Sequence, residues 1–196
     1  MKSESATIAI GFRVKSGFAI AVVLRGPASA PQAVARRVVE LSDPAEAGTR
    51  QPYHDGFYHE QNDARELARR ITIVKRCAKT SVAALIDEVW KERDHARLRA
   101  GLVVGSVIDP KRVGNAHIRA HASEGRLFRT VLADALRSHR IDCDVIVEQQ
   151  LAAKAAADLG PRDGDVTRVL AAFGKTLGGP WRADEKAAAT AAWLVM

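Results

Sequence analysis

The chain has 196 residues, 47% of them hydrophobic and 27% charged, an ordinary balance for a globular protein with room for a sizeable core. A net charge of +7 points to an anionic partner, yet aromatic residues make up only 5% and are not interleaved with the basic ones, which argues against a single-strand stacking platform. No apolar run is long enough to cross a bilayer and the start, MKSESATIAI, lacks a signal-peptide pattern, so the expectation is one cytoplasmic domain over 1–196 with no membrane partner. Cys77 and Cys143 lie far apart without metal-finger spacing, which fits reduced structural thiols.

Thr7–Val14 and Gly17–Arg25 are strand-like runs joined by the turn Lys15-Ser16-Gly17, a hairpin signal. In the second run Phe18, Ile20, Val22 and Leu24 face one way, and Ala19, Ala21 and Val23 the other. Apolar residues on both faces predict a strand covered on both sides, in the middle of an α/β sheet. Ala33–Leu41 predicts a third strand, more polar and so nearer an edge. A loop over 42–61 follows, holding Pro44, Gly48, Pro52 and the cluster Tyr53-His54-Asp55-Gly56-Phe57-Tyr58-His59-Glu60. Loops of that length are often functional or mobile. It is read as a surface segment and candidate lid, with His54 and His59 as substrate-binding candidates and Tyr53–Tyr58 as the contact of a homo-oligomer.

Asn62 is placed to cap a long helix whose stripe runs Leu67, Ile71, Val74, Ala78, Val82, Leu85, Val89. Much of the positive charge falls between Arg65 and Arg99, mixed with Asp and Glu, as on a solvated helix face; polyanion binding is the other reading. Gly101–Ile108 predicts a fourth, apolar strand, and Asp144–Val147 a fifth, closed by Glu148. Helices are expected near Gln149–Leu159 and Asp165–Leu177, and a last one from about Ala183. That last helix aligns Asp184, Ala187, Ala188 and Ala191, and an alanine face lets a helix approach a sheet closely. Gly174-Lys175-Thr176 lacks the upstream glycine of a phosphate loop, Gly105-Ser106 lacks a nucleophile elbow, and Trp90, Trp181 and Trp193 fall where packing explains them.

The sharpest conflict lies in the helix expected over His117–Arg140. Its apolar stripe, Phe128, Val131, Ala135 with Leu132 and Leu136 alongside, passes through Glu124, His121 and His117 when extended towards the N-terminus. Unpartnered ionisable groups on a core-facing stripe cost several kcal/mol, as a rough transfer estimate, so they need a partner, ion, ligand or water. His-x₃-His places two imidazoles on one face, and Glu three residues later completes a ligand set. His117, His121 and Glu124 are therefore candidate ligands for Mg²⁺, Mn²⁺ or Zn²⁺. A structural hydrogen-bond network is the competing reading, with Glu124-Gly125 marking an irregularity in the helix.

Four segments, IAIGFRVKSGFAIAVV, VIVEQQLAAKAAADLG, VTRVLAAFGKTLG and RADEKAAATAAW, carry a family resemblance over nearly the whole chain. They resemble the opening hairpin, the fifth strand with its helix, the penultimate helix and the terminal Asp-bearing helix of RuvC-type Holliday-junction resolvases. The resemblance implies a ribonuclease H-like fold: α/β, a mixed five-stranded sheet with its first three strands antiparallel and helices on both faces. It also implies where those nucleases hold two Mg²⁺ ions, on acids of the first strand, the fourth strand and the last helix, to activate water and stabilise the leaving oxygen. Here the first-strand position falls on Arg13 or its neighbour Phe12, the fourth-strand position near Gly105, and the second helix acid on Ala187; Asp184 alone matches. A cation where a ligand belongs repels the ion.

If the topology holds, His117, His121, Glu124, Glu148 and Asp184 would converge at one end of the sheet, near the carboxyl end of the fourth strand. The leading expectation is a non-nucleolytic binding or accessory module for nucleic acid. The alternative is a metal-dependent hydrolase, a phosphodiesterase or nuclease, in which Glu148 and Asp184 are catalytic and Arg13 clamps a phosphate or transition-state charge.

Overall fold

A tight turn at Gly17, which takes φ +84°, returns the chain on itself, with the Lys15 N–H donating to the Phe18 carbonyl at 2.9 Å. In the computed structural model, which describes residues 7–56, 59–89, 98–160 and 166–196, this hairpin joins β1 (Thr7–Val14) to β2 (Phe18–Gly26). The elements that follow are β3 (Gln32–Glu40), α1 (Ala64–Val89), β4 (Leu98–Val104), α2 (Ala116–Ser138), β5 (Cys143–Val147), α3 (Glu148–Asp158), α4 (Val166–Leu177) and α5 (Ala183–Leu194). The strands form one sheet in the order β3-β2-β1-β4-β5. β2 is antiparallel to β1 and β3, whereas β1–β4 and β4–β5 are parallel.

The alternation expected in β2 is observed. Ala19, Ala21 and Val23 join the core built with α1 and α2, while Ile20, Val22 and Leu24 join the core built with α4 and α5. β1 divides in the same way: Ile8, Ile10, Phe12 and Val14 face α1 and α2, and Ala9 faces the other side. Gly11, on Ala9's face, lets α5 rest directly on the strand, since a Cβ there would lie 1.8 Å from the Ala188 carbonyl oxygen. Gly101 on β4 does the same, with a Cβ 2.6 Å from the Ala191 oxygen. The alanine face read in the last helix thus lies against two strands, and Arg13 is the next residue of β1 along that line. β3, as expected, is an edge strand.

Several boundaries differ from expectation. β4 ends at Val104 because pairing with β1 and β5 runs out there, leaving Val107 and Ile108 more than half exposed in a loop. Asp63, not Asn62, caps α1, its Oδ1 accepting from the Arg65 and Glu66 N–H groups. α2 runs unbroken through Glu124-Gly125. Glu148 begins α3 instead of closing β5. The described part of the 42–61 loop is docked on the domain: Thr49 is fully buried and hydrogen-bonded, and Tyr53 packs on the core. Phe57, Tyr58 and Trp90 lie outside the described residues. Gly174 sits inside α4 under the Trp181 ring. Both cysteines are free thiols, pushed up in pKa chiefly by burial. Among the described residues no helix is long and apolar enough to cross a membrane.

Candidate functional site

Arg13 leaves β1 beneath the first turn of α5, with a side chain only 7% exposed. Its Nη2 lies 2.5 Å from Glu148 Oε2, and its Nε lies 3.4 Å from Asp184 Oδ1. Lys15, in the hairpin turn just beyond β1, brings Nζ to 3.1 Å from the same Asp184 oxygen. Each carboxylate sits in the first turn of its helix, where the helix dipole favours negative charge. Arg13, Glu148 and Asp184, the three residues singled out for catalysis from sequence, therefore meet in one ion-pair cluster, with Lys15 as its fourth member.

Asp184 is held in place by its neighbour. Glu185 is buried, and its Oε2 accepts from the Arg182 N–H at 2.9 Å while Oε1 accepts from Arg36 at 2.6 and 3.1 Å. Burial alone would raise the Glu185 carboxyl, but the Arg36 guanidinium and the backbone N–H groups outweigh it and hold it below the usual carboxylate range. The first turn of α5 is thereby pinned to β3.

A second cluster sits where the 42–61 loop meets α2. His54 is buried, not on the surface, and its Nδ1 lies 2.7 Å from Oε1 of Glu124, a side chain 1% exposed. Burial pushes the Glu124 carboxyl up, against the pull of His54. His121 Nε2 lies 3.2 Å from His117 Nε2, and His121 Nδ1 lies 3.7 Å from Glu124 Oε2. Burial first, then His54 and His117, lower the His121 pKa and favour the neutral ring. The ring centres of His54, His117 and His121 are 4.5 to 5.3 Å apart, and one ligand nitrogen from each lies within 4.8 Å of the others. The loop is anchored by Arg70 donating to the His54 carbonyl at 2.8 Å and by Arg119 gripping both oxygens of Glu60. His59 is exposed and outside the cluster.

The two clusters border one cavity of about 310 Å³ at the carboxyl ends of β1 and β4. Arg13, Lys15 and Ser106 line it on the sheet side, and His121, Gly125 and Phe128 on the α2 side. The five residues expected to converge therefore form two groups, Glu148 and Asp184 around Arg13 and His117, His121 and Glu124 beside His54, and of the five His121 lines the cavity. His117, His121 and Glu124 come together as expected, joined by His54.

Two RuvC structures from Thermus thermophilus share this architecture. One, in complex with a Holliday junction substrate, superposes with a TM-score of 0.52 at 12% identity over 96% of this chain and 91% of that chain. The other gives 0.50 at 11% identity over 96% and 92%. The chain has the ribonuclease H-like fold. No protein-family model and no curated protein matches the sequence. Within the ribonuclease H-like sheet, Arg13 occupies the central strand at the edge where β1 and β4 both end. One member of the site, Lys15, was not singled out from sequence, and His54 was named there in another role. Lys15 lies in the hairpin turn that the sequence marks, where strand alternation gives no face. The role of His54 carried no local signal, because Glu124 is 70 residues away.

Proposed function

We propose that this protein binds nucleic acid at the carboxyl edge of β1 and β4 and does not cut it by a two-metal mechanism. The observation that carries this reading is the Arg13–Lys15 cation pair on the wall of the cavity. The two-Mg²⁺ arrangement implied by the resemblance does not fit these residues. Its carboxylates would have to bind cations, but Glu148 and Asp184 already neutralise a guanidinium built into β1. A phosphate entering the cavity meets Lys15, whose side chain is 36% exposed, and competes with Asp184 for it. The net charge of +7 and a fold shared with a RuvC structure in complex with a Holliday junction substrate support the same partner class. The thiols of Cys77 and Cys143 suit a reducing, cytoplasmic setting.

Fluorescence anisotropy with labelled duplex and four-way-junction DNA tests this. Binding should weaken steeply with salt, and Lys15→Ala should lower the slope of log K against log salt by about 0.9, one phosphate contact. Absence of binding at low salt, or an unchanged slope in the variant, would sink the proposal. A second reading, a metal-dependent phosphodiesterase, is favoured by the histidine cluster on the opposite wall of the cavity. It predicts Mn²⁺-dependent cleavage that disappears in both Asp184→Asn and His121→Ala.

A further inference from the structure

The geometry points to a transition-metal site made of His54, His117 and His121, with Glu124 as the residue that positions His54. It stands apart from the nucleic-acid reading, because it is measured on the protein and the metal alone.

Three observations carry it. The Nε2 atoms of His117 and His121 are 3.2 Å apart, close to the roughly 3.3 Å edge of a tetrahedron built on metal–nitrogen bonds of about 2.05 Å. These two rings come from consecutive turns of one helix face, so helix geometry brings them together, and without an ion the same 3.2 Å contact is an N–H···N hydrogen bond between them. Next, the Nδ1 of His54 is engaged by the Glu124 carboxylate at 2.7 Å. With Glu124 ionised, that contact puts the His54 proton on Nδ1 and leaves the Nε2 lone pair free, the arrangement in which a carboxylate orients a metal-binding imidazole. Finally, His54 Nε2 is buried, in a side chain only 6% exposed, and has no hydrogen-bond partner among the described residues. Buried polar nitrogens are rarely left so in native proteins. A bound ion would satisfy it.

Packing of three imidazoles around one buried acid accounts for the Glu124 contact but not for the orphaned Nε2. The occupant follows from the ligand atoms. Three neutral imidazoles suit Zn²⁺ or Co²⁺, whereas Mg²⁺ requires oxygen ligands in octahedral array. Three protein ligands also leave a fourth position open, as in zinc sites that hold water or substrate. Because His121 lines the cavity shared with Arg13 and Lys15, an ion held there borders the space where an anion would enter.

The test uses untagged, full-length, metal-free protein. Titration with Co²⁺, followed by the visible d–d bands, and with Zn²⁺, followed by calorimetry, should show one ion per chain and the intense spectrum of a four-coordinate site. His121→Ala and His117→Ala should each abolish that event with an unchanged circular dichroism spectrum; the His121 side chain is half exposed, so its loss does not threaten the fold. Glu124→Gln should weaken affinity about 10- to 100-fold and shift the Co²⁺ bands. No one-to-one event in the parent protein, or an event that persists in either histidine variant, overturns the site. Unchanged affinity and spectrum in Glu124→Gln would overturn the positioning role.

Discussion

Glu185 shows how much one buried carboxylate can settle. It is 4% exposed, caps α5 through the Arg182 N–H and pairs with Arg36 on β3. Replacing Arg36 with Met strands a buried charge, which should cost about 3 kcal/mol at pH 7 in urea denaturation. The pH dependence has a definite sign. The folded-state pKa lies below the usual carboxylate value, so the pair's contribution is complete above about pH 4.5 and fades as the pH falls towards the folded pKa. The stability gap between parent and Arg36→Met should therefore narrow in acid; a gap that widened would contradict the assignment. The resemblance to the resolvases marked the positions of Arg13 and Asp184 in the sequence, though not their pairing. Neither Arg36–Glu185 nor His54–Glu124 was legible. Those partners are 149 and 70 residues apart, and neither pair leaves a periodic trace in the chain.

At the scale of elements, two glycines with opposite surroundings make opposite predictions. Gly11→Ala drives a methyl into the Ala188 carbonyl, backbone against backbone, and should destabilise by about 3 kcal/mol. Gly125 lies in α2 with nothing within 4 Å of the added carbon, so Gly125→Ala should stabilise by up to about 1 kcal/mol through helix propensity. Urea midpoints of the two variants, displaced in opposite directions from the parent, are the check. Periodicity located the strands and helices because each has a face that must be buried. It failed where no face exists. The apolar run to Ile108 looked like strand, yet β1 and β5 offer it no partner beyond Val104. In the 42–61 loop the order of the described residues comes from single side chains, Thr49, Arg70 and Arg119, each tying down one stretch of backbone or one acid, and such ties leave no periodic pattern.

For the molecule as a whole, the sheet order β3-β2-β1-β4-β5 places the carboxyl ends of β1 and β4 side by side, and Arg13, Lys15 and His121 line one cavity there. Nucleic-acid affinity should therefore respond to Lys15, at this edge, far more than to Lys75 or Lys79 on α1. Alanine variants at each, compared by anisotropy at one salt concentration, would show it. An equal effect at all three positions would mean diffuse attraction instead of a site. The same architecture has a consequence for biogenesis. β1 and β2 are translated before the helices that cover the sheet face carrying Ala9 and Gly11, and that cover is complete only when α5 joins α3 and α4. Until then a strip of Ile20, Val22 and Leu24 stands incompletely covered on the nascent chain. Contacts so distant along the chain form slowly. The nascent chain thus presents a long-lived apolar surface, the kind that holdase chaperones recognise.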